Sequence, residues 1–167
     1  MVRPTFAHID LDAVRVNYRE VVSYVGSGPG RPHIIAVVKA NGYGHGAVPV
    51  ARALEAAGAE MLACADIEEG VELRRGGVRA PILVFGALSV SDLDGVFTHG
   101  LTPTISSPFA ARALREAATS RGTRVACHLK IDTGMNRLGF RYDNLTETLP
   151  QVLDGSGLEI DAVYTHF

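Results

Sequence analysis

Three stretches of this chain carry side chains whose type and setting suit chemistry. The first is AVVKANGYGHG, residues 36–46. Lys39 stands there between an apolar run and a glycine-rich loop. Partial desolvation of an amine favours its neutral form, and a neutral amine is the nucleophile that condenses with an aldehyde. A lysine whose stem lies on apolar surface while its head reaches water is the plainer reading of the same residue. The glycines at 42, 44 and 46 allow backbone to approach a ligand closely, or to take positive φ. The loop lacks the Gly-Lys-Ser/Thr pattern of a P-loop. Tyr43 and His45 fit either phosphate contacts or surface positions. The second stretch is HLKIDTGMNRLGF, residues 128–140. A strand there delivers Lys130 and Asp132, Thr133-Gly134 turns the chain, and Arg137 can point back. Its guanidinium fork suits a carboxylate or a phenolate oxygen; an ordinary loop with a surface arginine is the alternative. The third is YTHF, residues 164–167, which puts His166 just past an apolar run, as PILVFG at 81–86 does for Phe85.

These groups share a site only if the elements bearing them open at one end. The chain alternates short β-type runs with helical stretches. Strands are expected at 33–40 (buried on both faces), 61–65, 81–86, 101–106, 124–131 and 158–167. Pro103 argues against the fourth. Helices are expected at 46–58, 67–75, 91–97 (capped by Ser91), 108–120 and 143–153. Ala110, Ala113, Leu114 and Ala117 mark one face of the fourth of these. Residues 1–32 read as a lead-in. FAHIDLDA is a short strand, and Asp12 then caps a helix with Val14, Tyr18, Val21, Val22 and Val25 on one face; residues 26–32 form a loop. Alternation of this kind predicts an α/β fold with a parallel sheet. Its pace fits a (β/α)8-type, TIM-like barrel over residues 33–167, with about six of eight strands present, and functional groups then gather at the C-terminal strand ends. A doubly wound open sheet competes. A barrel short of closure would leave unpaired edges, so the chain is expected to be a piece of a longer protein.

Composition narrows the classes. Hydrophobic residues make up 47% of 167 and charged residues 20%, enough for a buried core. A formal net charge of −2 without a basic cluster argues against a nucleic-acid partner. No apolar run approaches the roughly 20 residues of a membrane span, and the N-terminus does not read as a signal peptide. Cys64 and Cys127, the 2 cysteines, sit in apolar runs and read as buried core residues in a reducing, cytoplasmic setting, with no metal site.

AVVKANGYGHG, HLKIDTGMNRLGF and YTHF, taken together and in order, resemble the signatures of alanine racemase, collinear from about residue 6 to the end. The resemblance implies a pyridoxal 5'-phosphate (PLP) enzyme, with an N-terminal barrel and a C-terminal β-domain that would be absent here. It implies interconversion of L- and D-alanine, supply of D-alanine for peptidoglycan, a homodimer and a small-molecule substrate. Lys39 resembles the lysine that holds PLP as a Schiff base and acts as one of two acid/base groups. Tyr43 resembles a contact to the cofactor phosphate. Arg137 resembles the arginine near the phenolic oxygen and the substrate carboxylate. Lys130 resembles a lysine, carbamylated in many members, that orients this arginine. His166 resembles the histidine packed on the pyridine ring, and Phe85 takes a pocket-lining position where the family often has leucine. The second acid/base group resembles a tyrosine of the partner subunit's C-terminal domain, so these 167 residues alone are expected to be inactive. A serine or broad-specificity racemase, a barrel decarboxylase of basic amino acids, a barrel-only protein that binds PLP without catalysis, and a scaffold that binds nothing remain as alternatives.

Overall fold

The computed structural model describes residues 4–26, 28–153, 155 and 157–167. The expectations for residues 1–3 and for residue 27 within the 26–32 loop lie outside them. Strands β1 (Ile35–Val37), β2 (Met61–Cys64), β3 (Ile82–Val84), β4 (Thr102–Ile105), β5 (Val125–Asp132) and β7 (Leu158–Tyr164) pair in parallel, with β5 between β4 and β7. A two-residue strand, β6 (Phe140–Arg141), pairs with the last residues of β5. Parallel neighbours need crossovers. Helices α3 (Ala47–Ala56), α4 (Ile67–Arg75), α5 (Asp94–His99) and α6 (Pro108–Ser120) lie along the connections. The sheet is the expected parallel one, an incomplete barrel of α/β type.

The helices start where local chemistry lets them. Asp66 caps α4 by accepting the Glu69 N–H at 2.9 Å, and Ser107 caps α6 by accepting the Ala110 N–H at 3.2 Å, with Pro108 in its first turn. Leu62, Ile67, Leu73, Ile82, Ile105 and Leu114 are fully buried between helices and sheet. Each contributes about 1.5–3 kcal/mol relative to exposure. No helix among the described residues is long and apolar enough to cross a membrane.

Several expectations need correction. FAHIDLDA forms no strand: residues 4–10 are irregular and pair with no strand. Helix α1 (Leu11–Val25) is capped by Asp10, whose carboxylate accepts the Asp12 and Ala13 N–H groups, whereas Asp12 pairs with Arg15. Only part of its expected face packs, since Val21 is 48% exposed. Ser91 bonds Ser89 instead of capping α5, which starts at Asp94. The 143–153 helix breaks before Pro150 into α7 (Leu145–Thr148) and α8 (Pro150–Leu153), preceded by a 3-10 turn at Tyr142–Asn144. Pro103 sits inside β4 because pairing to β5 starts only at Thr104. Finally, β1 is not buried on both faces: Ile35 and Val37 stay partly exposed because they line a cavity.

β5 and β7 also lose register once. Cys127 faces Ile160, but His128 faces Ala162, so Asp161 is an extra residue. A bulge of this kind re-aims the side chains beyond it. Lys130 therefore lies opposite Tyr164 instead of Val163.

Gly86 shows how tightly two strand ends meet. Its N–H donates to the Ala65 carbonyl at 3.0 Å, and a Cβ built on it would stand 2.1 Å from that oxygen. Gly86→Ala is expected to cost about 1–3 kcal/mol, as overpacking does, in a denaturant titration. An unchanged midpoint would contradict this packing.

Candidate active site

The C-terminal strand ends open on a cavity of about 540 Å³. Lys39, Tyr43, Phe85, Lys130, Arg137, Tyr164 and His166 line it, over an apolar floor that includes Ile35, Val37 and Leu83. Lys39, Tyr43, Phe85, Lys130, Arg137 and His166, singled out in the sequence, thus meet at one place, whereas His45 does not join them. Three are permanent or potential cations on long stems, and the lining includes no carboxylate. That is an unusual concentration of one sign in an apolar hollow, and it suits a ligand with anionic groups.

Lys39 is half-buried, with Nζ 5.6 Å from the Phe85 ring centre and 6.0 Å from that of Tyr43. The segment α2 (Lys39–Tyr43) does something the glycines alone do not explain. Ala40 (φ 51, ψ 52), Asn41 (φ 54, ψ 47) and Gly42 (φ 61, ψ 40) make a left-handed turn, and Tyr43 continues it at φ 54. For a residue with a Cβ this conformation costs about 1–2 kcal/mol. Such strain persists only where surroundings over-determine it, and it gathers at functional sites. Here Gly42 N–H donates to the Val38 carbonyl at 2.9 Å, Gly44 N–H to Ala40 at 3.0 Å, and Ala47 N–H to Asn41 Oδ1 at 2.8 Å. Gly42 is packed on α3, where an added Cβ would stand 3.3 Å from the Ala47 backbone. His45 turns its Nδ1 onto the Gly42 and Tyr43 carbonyls, each at 3.0 Å, and does not line the cavity.

Lys130 is buried, 6% exposed, with Nζ 4.7 Å over the Tyr164 ring. Burial pulls its pKa down, the nearby Arg137 cation adds to this, and Asp132 opposes it. Among the described residues it has no ion-pair partner. Asp132 instead folds the next loop: its Oδ1 accepts the Gly134 N–H at 2.9 Å and the Asn136 N–H at 3.0 Å. Those two bonds hold its carboxyl below the usual aspartate range, and they set the turn from which Arg137 reaches the cavity.

Tyr164 was not read as a site residue from the sequence, although it lies in YTHF. Its hydroxyl shares a 3.0 Å hydrogen bond with Thr104 Oγ1 and donates over a longer 3.4 Å to the Phe85 carbonyl. Burial raises its pKa, and the Thr104 bond opposes this. Alternation on β7 put it on the same face as Leu158 and Ile160, but only the bulge at Asp161 brings it to Lys130.

The sequence profile described as "Alanine racemase, N-terminal domain" matches residues 9–167. The chain belongs to this family. It is 44% identical to an alanine racemase of Desulforamulus reducens over its whole length, and covers 45% of that protein. Among solved structures, an alanine racemase of Clostridium difficile 630 superposes with a TM-score of 0.89 at 33% identity, over 100% of this chain and 46% of the other. An alanine racemase from Bartonella henselae, solved with covalently bound pyridoxal phosphate, matches with a TM-score of 0.80 at 26% identity, over 95% of this chain and 45% of that one. The chain thus spans about half the length of the relatives it matches.

The Asp132 turn gives a pH test. A carboxyl whose folded pKa is lowered contributes stability that is complete above its unfolded pKa and is lost as pH falls through the folded value. In an NMR titration the Gly134 and Asn136 amide shifts are expected to move together, with a midpoint below the ordinary aspartate range. A midpoint at or above that range would refute the bonding described.

Proposed function

We propose that this chain forms the cofactor-holding part of a PLP-dependent alanine racemase. The observation that carries the reading is the cavity: Lys39, Lys130 and Arg137 meet over an apolar floor, with no carboxylate in the lining. The residues fit a compact phosphorylated aldehyde, and the volume lies within the range of about 300–1,000 Å³ typical of such sites. When bound, PLP supplies an electron sink that lets a substrate Cα–H ionise. Lys39 Nζ would be the amine that holds the cofactor, and it would take and return a proton at the substrate Cα from one face. Tyr43 is assigned to the phosphate and His166 to the face of the pyridine ring. Arg137 offers its fork to the substrate carboxylate and the phenolic oxygen. Phe85 would line the pocket beside the lysine, its ring centre 5.6 Å from Nζ. Inversion needs a second proton carrier on the opposite face, which the proposal assigns to a tyrosine of a partner subunit in a homodimer, outside these 167 residues. The two free, buried cysteines suit a reducing compartment, in keeping with a cytoplasmic enzyme that supplies D-alanine for peptidoglycan.

Mixing the chain with PLP and then borohydride is expected to fix the cofactor on the peptide containing Lys39, as read by mass spectrometry. Lys39→Ala should abolish this, and Arg137→Ala should weaken it. Absence of the adduct in the native chain would sink the assignment. Racemisation of L-alanine by the 167 residues alone would refute the placement of the second proton carrier.

Lys130 is proposed to carry a carbamate: its neutral amine adds to CO2, one N–H proton leaves, and the resulting anion faces Arg137. The lowered pKa enlarges the neutral fraction as pH rises. Carbon NMR with isotope-labelled bicarbonate should show a carbamate signal that grows with pH and is lost in Lys130→Ala. No signal at mildly alkaline pH would remove the proposal.

A further inference from the structure

The left-handed turn behind Lys39 needs an anchor outside its own loop, and α4 supplies one. Glu69 Oε1 accepts the Ala40 N–H at 2.6 Å, while its Oε2 accepts the Ala65 N–H at 2.8 Å. Ala40 follows Lys39 directly and is the first left-handed residue, and Ala65 is the residue after β2. A glutamate at the third position of a helix ordinarily folds back onto the cap residue's own N–H. Half of that arrangement is present, since Asp66 accepts the Glu69 N–H. The Glu69 carboxylate, however, passes the cap and joins two neighbouring strand ends. Among the described side-chain hydrogen bonds of the turn, the others stay within the loop or reach only α3.

We propose that Glu69 is a positioning residue for Lys39: its carboxylate clamps the peptide after Lys39 to the end of β2 and so fixes the direction in which the lysine enters the cavity. This deepens the cofactor-attachment reading of Lys39 and rests on it. A left-handed peptide that loses its anchor can relax toward the right-handed region, and such a relaxation rotates Cα of the preceding residue and swings its side chain. Charge matters as well as shape. A carboxylate presents an acceptor to each of two N–H groups, whereas a glutamine amide presents one acceptor and one NH2, which faces an N–H unfavourably.

The test compares Glu69→Ala and Glu69→Gln with Asp66→Ala. The last removes the α4 cap but leaves both Glu69 oxygens free to act. The first readout needs no cofactor: exchange of the Ala40 amide hydrogen, followed by NMR. Loss of a bond to a charged acceptor should speed that exchange about tenfold or more in Glu69→Ala, less in Glu69→Gln, and hardly at all in Asp66→Ala. The second readout is the rate of PLP attachment at Lys39, which is expected to fall in the same order. Wild-type exchange and attachment in Glu69→Ala would overturn the proposal. So would equal harm from Asp66→Ala, which would make Glu69 a helix cap and nothing more. If Glu69→Ala does not fold, the near-isosteric Glu69→Gln decides by the same two readouts. Should the native chain fail to attach PLP, the reading of Lys39 falls, while Ala40 exchange still decides whether Glu69 clamps the turn.

Discussion

Each main strand here runs the same way as its neighbour, and that direction governs everything functional. A strand that pairs in parallel must be reached by a crossover, so the chain climbs through the sheet, returns outside it and climbs again. All C-terminal ends therefore open on one rim. Lys39, Phe85, Arg137 and His166 come from four different climbs, and no two of them are close in sequence. They are neighbours because the sheet repeats one direction and curves. The crossover helices are two-faced, and α3, α4 and α6 pack their small and branched residues on the sheet. This leaves the rim free to hold side chains that a core would not accept.

The cavity lining concentrates positive charge. Lys130 lies in a setting that penalises a cation twice, by burial and by the nearby Arg137. Natural folds tolerate such an arrangement where an anion offsets it. A phosphate, a substrate carboxylate and a carbamate are each anions that the proposed chemistry would bring. The same cations that disfavour the cavity as packed core suit it to such groups.

Much of this was legible in sequence. The α4 and α6 spans could be read almost to the residue, because each has a side-chain cap at its start and a clear polar or glycine stop at its end. The parallel order followed from alternation of strand and helix patterns. What escaped reading depended on distant partners. FAHIDLDA alternates like a strand but has none beside it. Glycines in ANGYGHG announced positive φ, but Ala40, Asn41 and Tyr43 adopt it too, and that conformation is held partly from Glu69, 29 positions away. Tyr164 looked like one more apolar position of a final strand. Its place beside Lys130 comes from one inserted residue, Asp161, which no local pattern marks.

The Tyr164 hydroxyl bonds Thr104, 60 positions earlier, and Phe85, 79 positions earlier. Geometrically it is a chord. Strands β5 and β7 form the arc on one side, β3 and β4 the arc on the other, and the phenol spans the interior between them. Sheet curvature can then not change without stretching or breaking this chord. The width of the cavity and the bend of the sheet become one coordinate, and a side chain from the last strand sets how much room the first strand's lysine has in front of it.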